Sequence, residues 1–328
     1  MSPASALPDP LATTNRGSGM SRLGIAAIQT AGEATGNMDL IEQEVRAVAR
    51  RCPWLTMAAL GELAIHGASP EKAEQAGGAT ELRLQALAVE TGLWIIPGSV
   101  YEERDGQVFN TTPIIDPSGL IVARYDKMVP FLPYEKGVAS GNNYVVVDVP
   151  GIGKIGVVIC YDIWFPELVR TLAAMGAEVI IVPTMTNTVD RDVELAIARA
   201  NAAINQCFVV DVNVAGEQGN GRSVIYGPGG ELIHEAGTGR EIMALELDLE
   251  QVRSVRARGW HGLGQVMKSF RDMPGRFPLH ESPNARSEAM QEWGKLEMPA
   301  RPAVPQSADS PPPSETPHLT IINKKGSV

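Results

Sequence analysis

Apolar runs of two kinds alternate along most of this chain. Between Leu23 and Leu249, short apolar runs alternate with longer segments in which apolar residues recur about every 3.6 positions. The first kind is typical of buried strands, and the second is typical of amphipathic helices. Strands that alternate with helices predict an α/β protein made of stacked layers of sheet and helix.

The individual elements are placed by their apolar spacing and by the residues at their ends. The predicted strands cover residues 23–28, 56–60, 93–100, 154–160, 178–182, 207–214 and 242–249. The predicted helices cover residues 37–51, 80–91, 166–175 and 189–206, and Gly92 is expected to cap the second of them. Two hairpins, at residues 110–125 and 223–234, are predicted from the turns with Pro and Gly at their centres.

The two halves of this pattern resemble each other, since each interleaves helices with strands and contains one hairpin. We therefore expect two packed sheets with helices outside them, an α-β-β-α sandwich in a single domain. The domain is predicted to span residues 22–273. Residues 1–21 are predicted to be a flexible N-terminal segment, and residues 274–328 a Pro-rich C-terminal extension whose composition cannot build a core.

Composition and charge exclude several classes of protein. With 28 Lys and Arg against 38 Asp and Glu, the formal net charge is −10, so we expect no nucleic-acid partner. No apolar run approaches the length of about 18 residues that a membrane span requires, and residues 1–22 lack the apolar core of a signal peptide. The three cysteines are far apart and odd in number, which argues against disulfides and favours a cytoplasmic location. No Cys/His cluster has the spacing of a metal site, so neither a metal nor a cofactor is expected.

Cys160 lies where an apolar strand stops and a helix is about to begin at Pro166. A thiol at such a turn sits at the sheet edge, where the backbone amides that follow can point at a developing oxyanion. The alternative is a small apolar side chain in the core, since free cysteine is among the most buried residue types. Position alone leaves the two interpretations even, and the five histidines show no local pattern that marks one of them as a base.

Two charged residues also follow predicted strands. Glu62 comes just after the second strand, where partial burial would raise its pKa and suit it to act as a general base. A solvated glutamate at a strand end is the alternative. Lys127 follows the first hairpin and precedes an apolar loop, residues 128–133, which would enclose its charge rather than leave it in water.

The order Glu62, Lys127, Cys160, each at a strand end, resembles the nitrilase superfamily of carbon–nitrogen hydrolases. The sequence GVVICYDIWFPE around Cys160 is the closest match to the motifs of that superfamily. The sequence YDK, which ends at Lys127, resembles the lysine motif, and Glu62 resembles the Pro-Glu segment, although Gly61 stands where proline is usual. The resemblance spans about residues 23–258.

The resemblance implies a role for each of these residues. Glu62 would take the thiol proton and later activate water, and Cys160 would attack the amide carbon to form a thioester. Lys127 and the backbone N–H of Tyr161 would hold the tetrahedral oxyanion. Glu135 resembles the second glutamate of the superfamily, which positions the substrate and the lysine. For Glu135, a surface glutamate paired with the neighbouring lysine is the alternative.

Residues just beyond the cysteine bear on the substrate. Amidase-like and carbamoylase-like members more often carry a residue and then Asp after the cysteine, as Tyr161 and Asp162 do, whereas nitrile-cleaving members commonly carry Trp-Glu. Several relatives that act on anionic substrates place an arginine two to four residues past the cysteine, and here those positions hold Asp162, Ile163 and Trp164. An arginine gives bidentate recognition of a carboxylate that a tryptophan cannot replace. We therefore expect a small amide with a neutral, apolar or aromatic acyl group.

The leading prediction is a cysteine-dependent amidohydrolase that releases ammonia or an amine from a small-molecule amide. The residues predicted to bind the substrate are Tyr134, Tyr161, Trp164 and Met185. Packing in the core is an equal alternative for Trp164. An N-carbamoyl hydrolase, a nitrilase and a non-catalytic scaffold of the same fold are the other candidate functions. By resemblance, a homodimer or larger homo-oligomer is expected to form through residues 166–175.

Overall fold

The computed structural model describes residues 21–132, 134–275, 277 and 288–298. The predicted flexible N-terminal segment lies outside the described residues except for Ser21, and so does most of the predicted C-terminal extension. Within the described part of the chain, no helix is long and apolar enough to cross a membrane.

The described residues form strands β1–β17 and helices α1–α7, numbered along the chain. The strands are β1 Arg22–Gln29, β2 Ala31–Gly32, β3 Met57–Leu60, β4 Glu74–Gln75, β5 Trp94–Ile96, β6 Val100–Arg104, β7 Gln107–Ile115, β8 Ile121–Asp126, β9 Val138–Ala139, β10 Val146–Val149, β11 Gly153–Val157, β12 Val179–Thr184, β13 Phe208–Asn213, β14 Ala215–Gly216, β15 Val224–Tyr226, β16 Leu232–Glu235 and β17 Glu241–Asp248. The helices are α1 Met38–Arg51, α2 Ala79–Thr91, α3 Pro166–Ala174, α4 Arg191–Asn205, α5 Glu250–Arg258, α6 Val266–Asp272 and α7 Glu288–Glu292. A short 3₁₀ helix, Cys160–Trp164, lies between β11 and α3.

Three parallel strands lie at the centre of each main sheet. In the first sheet these are β1, β3 and β5, and the strand order is β17-β1-β3-β5-β7-β6-β4, with β8 and β9 also paired to β7. In the second sheet they are β11, β12 and β13, and the strand order is β10-β11-β12-β13-β15-β16. The two predicted hairpins are β7–β8 and β15–β16, both antiparallel. Strands β2 and β14 form a separate pair.

The side chains of β1 show how the layers stack. Leu23, Ile25 and Ala27 lie in a hydrophobic core that the first sheet shares with the second. Ala26 and Ile28 lie in another core, which the first sheet shares with α1 and α2. Because neighbouring residues of a strand face opposite sides of a sheet, β1 is covered on both faces. The apolar faces of α3 and α4 cover the second sheet in turn. This order of layers confirms the predicted α-β-β-α sandwich.

Helix boundaries follow local sequence signals. Helix α1 buries Ile41, Val45 and Val48, whose spacing puts them on one helix face. Helix α2 ends where Gly92 takes the left-handed conformation, with φ of +68°, as predicted. Helix α3 begins with Pro166, whose missing N–H is not needed in the first turn of a helix.

Some predicted elements differ from the structure. The strand predicted for residues 93–100 is two strands, because Gly98, with φ of +84°, turns the backbone between β5 and β6. The strand predicted to reach Cys160 ends at Val157, and Cys160 opens the 3₁₀ helix instead. Helix α5 was not predicted, because Val252 is its one buried residue and its apolar spacing gives no signal.

Candidate active site

Several strand ends meet at one edge of the two sheets. Glu62 follows β3, Lys127 follows β8, Cys160 follows β11 and Met185 follows β12. The two sheets are joined directly at this edge, because the backbone N–H of Glu62 donates a hydrogen bond to the carbonyl oxygen of Thr184 at 3.1 Å. The fold therefore brings together residues that are far apart in the sequence.

The backbone at Cys160 is strained. Its φ of +46° lies in the left-handed region, which residues other than glycine rarely adopt. Such a conformation costs on the order of 1–3 kcal/mol and persists only where the surrounding structure imposes it. The sulfur is also less accessible than a position at the sheet edge suggests, since Cys160 is only 8% exposed.

Asp162 holds the turn at Cys160 in place. Its carboxylate accepts hydrogen bonds from the N–H of Ile159 at 3.0 Å, the N–H of Val129 at 2.8 Å and the hydroxyl of Tyr125 at 2.7 Å. One carboxylate thus ties this turn to the segment that follows Lys127. Burial raises the pKa of Asp162 to about 6, although the three donors oppose the shift.

Lys127 bridges two carboxylates. Its Nζ donates to Oε1 of Glu62 at 2.8 Å and to Oε2 of Glu135 at 2.6 Å. Asn110 bridges the same pair, since its Nδ2 donates to Oε1 of Glu62 at 2.8 Å and to Oε1 of Glu135 at 3.1 Å. The side chains of Lys127 and Glu62 are only 2% and 4% exposed. The ring of hydrogen bonds therefore forms almost entirely out of water.

Glu135 and Glu62 differ in how many of their carboxylate oxygens accept the hydrogen bonds of the bridge. Glu135 also accepts a hydrogen bond from the N–H of Phe131, and the hydroxyl of Tyr101 lies near its carboxylate. It is therefore surrounded by donors and suited to act as a fixed negative charge. Glu62 has both of its bridging donors on one oxygen, Oε1, and the Cys160 thiol beside its carboxylate acts to lower the pKa of Glu62.

Burial dominates the electrostatics of the thiol and its neighbours. Burial raises the pKa of Glu62, with the charge of Lys127 acting in the opposite direction. Burial also raises the pKa of Cys160 well above its usual value, and the charge of Glu62 raises it further. Burial lowers the pKa of Lys127, but its acidic neighbours, Glu62 first among them, outweigh that effect and hold it well above its usual value. The resting thiol is therefore protonated at neutral pH, and the lysine is charged.

The backbone of Gly61 lies so close to Thr184 and Val214 that glycine is required before Glu62. A Cβ on Gly61 would lie 2.6 Å from Cγ1 of Val214 and 3.1 Å from the carbonyl oxygen of Thr184. A Cβ on Gly98 would lie 1.8 Å from the carbonyl oxygen of Gly61. No side chain fits at either position, so the glycine that replaces the usual proline follows from the packing of β3 against the second sheet.

Three of the predicted substrate-binding residues lie in one aromatic cluster. Tyr134 stacks on Phe131 with ring centroids 4.9 Å apart, Phe131 packs on Tyr161 at 4.8 Å, and Tyr161 lies 6.0 Å from Trp164. Phe165 packs edge-on against Tyr161. Because Tyr134 is 62% exposed, the cluster opens to solvent on that side.

The fourth of these residues, Met185, is placed differently. Its backbone N–H lies near the sulfur of Cys160 and acts against the rise in the pKa of that thiol. Its side chain packs against a small cluster of Leu63, Tyr101 and Val138. Met185 thus has its backbone near the thiol, whereas its side chain packs against that apolar cluster.

Asn110 and Tyr101 were not among the predicted site residues. The two lie directly opposite each other on β7 and β6, and both contact Glu135. A signal for Asn110 was present, because asparagine is depleted in strands and this one lies in a predicted strand. Its partners could not be read from the sequence, since they depend on strand register.

Other features of the described residues lie away from this cluster. A cavity of about 760 Å³ opens between the β15–β16 hairpin and α5, next to Trp260. Its lining includes none of Glu62, Lys127, Glu135 or Cys160. Within the described ranges, no group of three or more His, Cys, Asp or Glu side chains is arranged to hold a metal ion.

Comparison with known proteins connects this geometry to a family. The model of the family described as carbon-nitrogen hydrolase matches residues 22–257. Omega-amidase NIT2 of Xenopus tropicalis is 29% identical over 202 residues, which cover 57% of this chain and 73% of the relative.

Two solved structures share the fold. Nit3 of Saccharomyces cerevisiae, a member of branch 10 of the nitrilase superfamily, is 26% identical with a TM-score of 0.67, and the match covers 72% of this chain and 93% of that one. A variant of the amidase from Nesterenkonia sp. AN1, in complex with butyramide, is 26% identical with a TM-score of 0.64, and the match covers 73% and 95%. The family model spans most of the chain, and the architecture agrees with it. The chain therefore belongs to the carbon-nitrogen hydrolase family, in the amidase-like branch of the nitrilase superfamily, and is a hydrolase of carbon–nitrogen bonds other than peptide bonds.

Proposed function

We propose that this protein is a cysteine-dependent amidohydrolase that cleaves the C–N bond of a small, neutral amide through a thioester. The observation that supports the proposal best is the cluster at the strand ends. There the Cys160 thiol lies beside the carboxylate of Glu62, and Lys127 bridges that carboxylate to Glu135. A thiol with a base and a cation beside it has the groups that nucleophilic cleavage of an amide requires.

In the first half of the proposed reaction, the sulfur of Cys160 attacks the amide carbon while its proton passes to Glu62. The transfer leaves the net charge of the cluster unchanged, which matters because the site is buried. Lys127 and the backbone N–H of Tyr161 stabilise the oxyanion, and one such donor is commonly worth about 10²–10³ in rate. The C–N bond then breaks as Glu62 returns the proton to the departing nitrogen, which leaves as ammonia or an amine.

In the second half, water hydrolyses the thioester. Glu62 takes a proton from water as the water oxygen attacks the thioester carbon. The C–S bond breaks, the proton passes to the departing sulfur, and the carboxylic acid is released. Glu135 keeps Lys127 in place through both halves, because its carboxylate accepts hydrogen bonds from Nζ of Lys127 and from the N–H of Phe131.

A neutral acyl group is proposed from the residues around the thiol. Trp164 occupies a position where relatives that act on anions carry an arginine. The buried guanidinium of Arg191 is engaged by Glu194 at 3.1 Å and by Asp211 at 3.0 Å, so its charge is already balanced. The aromatic cluster offers apolar surface, and the butyramide complex of the Nesterenkonia amidase is with a neutral amide.

Product analysis tests this proposal against its alternatives. The wild-type enzyme is incubated separately with butyramide, an aromatic amide, an ω-carboxylated amide, an N-carbamoyl amino acid and a nitrile, and ammonia and carbon dioxide are both measured. The ω-carboxylated amide is included because the Xenopus relative is named an omega-amidase. The proposal expects ammonia without carbon dioxide, fastest from the neutral amides.

Each other result identifies an alternative. Carbon dioxide released together with ammonia from the N-carbamoyl compound, at the highest rate of the panel, indicates an N-carbamoyl hydrolase. Preference for the nitrile indicates a nitrilase, and strong preference for the ω-carboxylated amide contradicts the neutral acyl group. Absence of turnover across the panel would contradict the amidohydrolase and favour a non-catalytic scaffold.

Substituting Trp164 by arginine is expected to move specificity toward an anionic acyl group. A guanidinium at this position would pair with a distal carboxylate, and one charge-assisted hydrogen bond corresponds to about a tenfold gain. We therefore expect kcat/KM for the ω-carboxylated amide, relative to butyramide, to rise about tenfold in Trp164→Arg. The control is Trp164→Leu, which removes the ring without adding charge. An equal ratio in the two variants would mean that Trp164 serves in helix packing and does not face the acyl group.

Two expectations about the whole protein remain predictions. Self-association through α3 is expected from the family resemblance, and analytical ultracentrifugation would measure it. The cytoplasmic location rests on the composition of the chain, and fractionation would measure it.

A further inference from the structure

We propose that Asn110 is a positioning residue for Glu62. By bridging Glu62 and Glu135, it fixes which oxygen of Glu62 faces the Cys160 thiol. The inference rests on the proposed function, in which Glu62 accepts the thiol proton.

The backbone places Asn110 with little freedom. Asn110 is fully buried on β7, and its carbonyl oxygen accepts a hydrogen bond from the N–H of Lys127 at 2.8 Å. Across the strand pair it lies opposite Tyr101. The register of the sheet therefore sets the position of this amide relative to the lysine and to both carboxylates.

Charge fixes the orientation of the Asn110 amide. Its Nδ2 donates to both carboxylates, one hydrogen bond to each. A reversed amide would point its oxygen at two carboxylates, which only accept hydrogen bonds when ionised. In the arrangement observed, Oδ1 has no hydrogen-bond partner among the described residues. The amide thus donates to both carboxylates although its own buried oxygen accepts no hydrogen bond, an arrangement that costs stability.

The hydrogen bond from Asn110 restricts the orientation of the Glu62 carboxylate. Asn110 and Lys127 both donate to its Oε1. Oε2 is then the oxygen left for the thiol proton and later for water, and rotation of the carboxylate would break both hydrogen bonds. A neutral donor has a further advantage over a second lysine, because it holds the carboxylate without adding a positive charge that would weaken it as a base.

The test is the pH profile of kcat/KM for Asn110→Ala. The variant should lose about 10- to 100-fold in kcat/KM, the loss expected for a hydrogen bond to a charged group. The acid limb of the profile should move up by about one pH unit, because Glu62 loses a donor that favours its charged form. A residue needed only for folding would lower the rate without moving the limb.

Thr112→Val is the matched control. Thr112 lies two residues further along β7 on the same face, is also fully buried, and its hydroxyl has no hydrogen-bond partner within the described part of the chain. Its substitution should leave the limb at the wild-type pH. If Asn110→Ala does not fold, Asn110→Leu refills the volume without donors, and the same shift is expected. A limb that stays in place, or a wild-type rate in either Asn110 variant, overturns the proposal.

A second measurement needs no turnover. The rate at which iodoacetamide alkylates Cys160, followed by mass spectrometry of its peptide, should show the same acid limb and the same shift in Asn110→Ala. If wild-type protein shows the limb and hydrolyses no substrate of the panel, the proposed function fails while the role of Asn110 is still decided by the shift. An unshifted alkylation limb overturns the role of Asn110 even if amide hydrolysis is established.

Discussion

Replacing Cys160 with alanine is expected to reduce amide hydrolysis to the background rate, a loss on the order of 10⁴–10⁶-fold. Without the sulfur no thioester forms, and the remaining groups have only water to activate. The measurement is the initial rate of ammonia release from the best substrate of the panel.

Cys207→Ala is the control for this experiment. Cys207 is fully buried, and burial raises the pKa of its thiol to about 12, so the thiol stays protonated at neutral pH. Its removal should lower stability by about 1 kcal/mol through the cavity that is left, with the rate of hydrolysis unchanged. Thermal unfolding of Cys160→Ala should remain cooperative. Clear residual turnover in a folded Cys160→Ala would show that another group is the nucleophile.

The meeting of Glu62, Lys127 and Cys160 was predictable from their places in the sequence. Glu62 and Cys160 follow central parallel strands, whose carboxyl ends lie at one edge of each sheet. Lys127 follows β8, which runs in the same direction as β5 because both are antiparallel to β7. The layered fold was predictable for a related reason, since the alternation of strands and helices leaves few ways to cover both faces of each sheet.

The geometry within the site was not predictable in the same way. Glycine or asparagine in a sequence usually indicates left-handed backbone. Leu63, with φ of +50°, and Cys160 are left-handed although they are neither of these residue types. These two strained residues lie at the two turns that carry Glu62 and the thiol. The bridge made by Asn110 depends on the register of β6 and β7, which a single strand pattern does not fix.

Substituting Lys127 by methionine is expected to remove activity and to destabilise the fold at neutral pH. Methionine has a similar length and no charge, so Glu62 and Glu135 lose the cation that bridges them. Removing one partner of a buried ion pair costs about 3–5 kcal/mol, and losing an oxyanion donor costs about 10²–10³ in rate. The measurements are the free energy of unfolding in denaturant and the initial rate of ammonia release.

The loss of stability should depend on pH. Burial already raises the pKa of Glu62 while Lys127 opposes it, so the variant should have a folded-state pKa further above the unfolded value of about 4.3. A carboxyl whose pKa is raised by folding costs nothing below its unfolded pKa, and its full cost appears above its folded pKa. The difference between wild type and Lys127→Met should therefore be smallest near pH 4 and largest at neutral pH. A difference that does not change with pH would mean that lost packing, and not charge, is responsible.

A double variant separates the two roles of the lysine. Glu135→Gln removes one of the two negative charges, so Lys127→Met/Glu135→Gln should recover part of the stability that Lys127→Met loses at neutral pH. Hydrolysis should not recover, because the donor to the oxyanion is still missing. Wild-type stability of Lys127→Met at neutral pH would show that water reaches the carboxylates and that the cluster does not need its cation to fold. Recovery of stability without activity would instead assign Lys127 both parts, as the counter-charge of the Glu62–Glu135 pair and as the cation at the reacting oxygen.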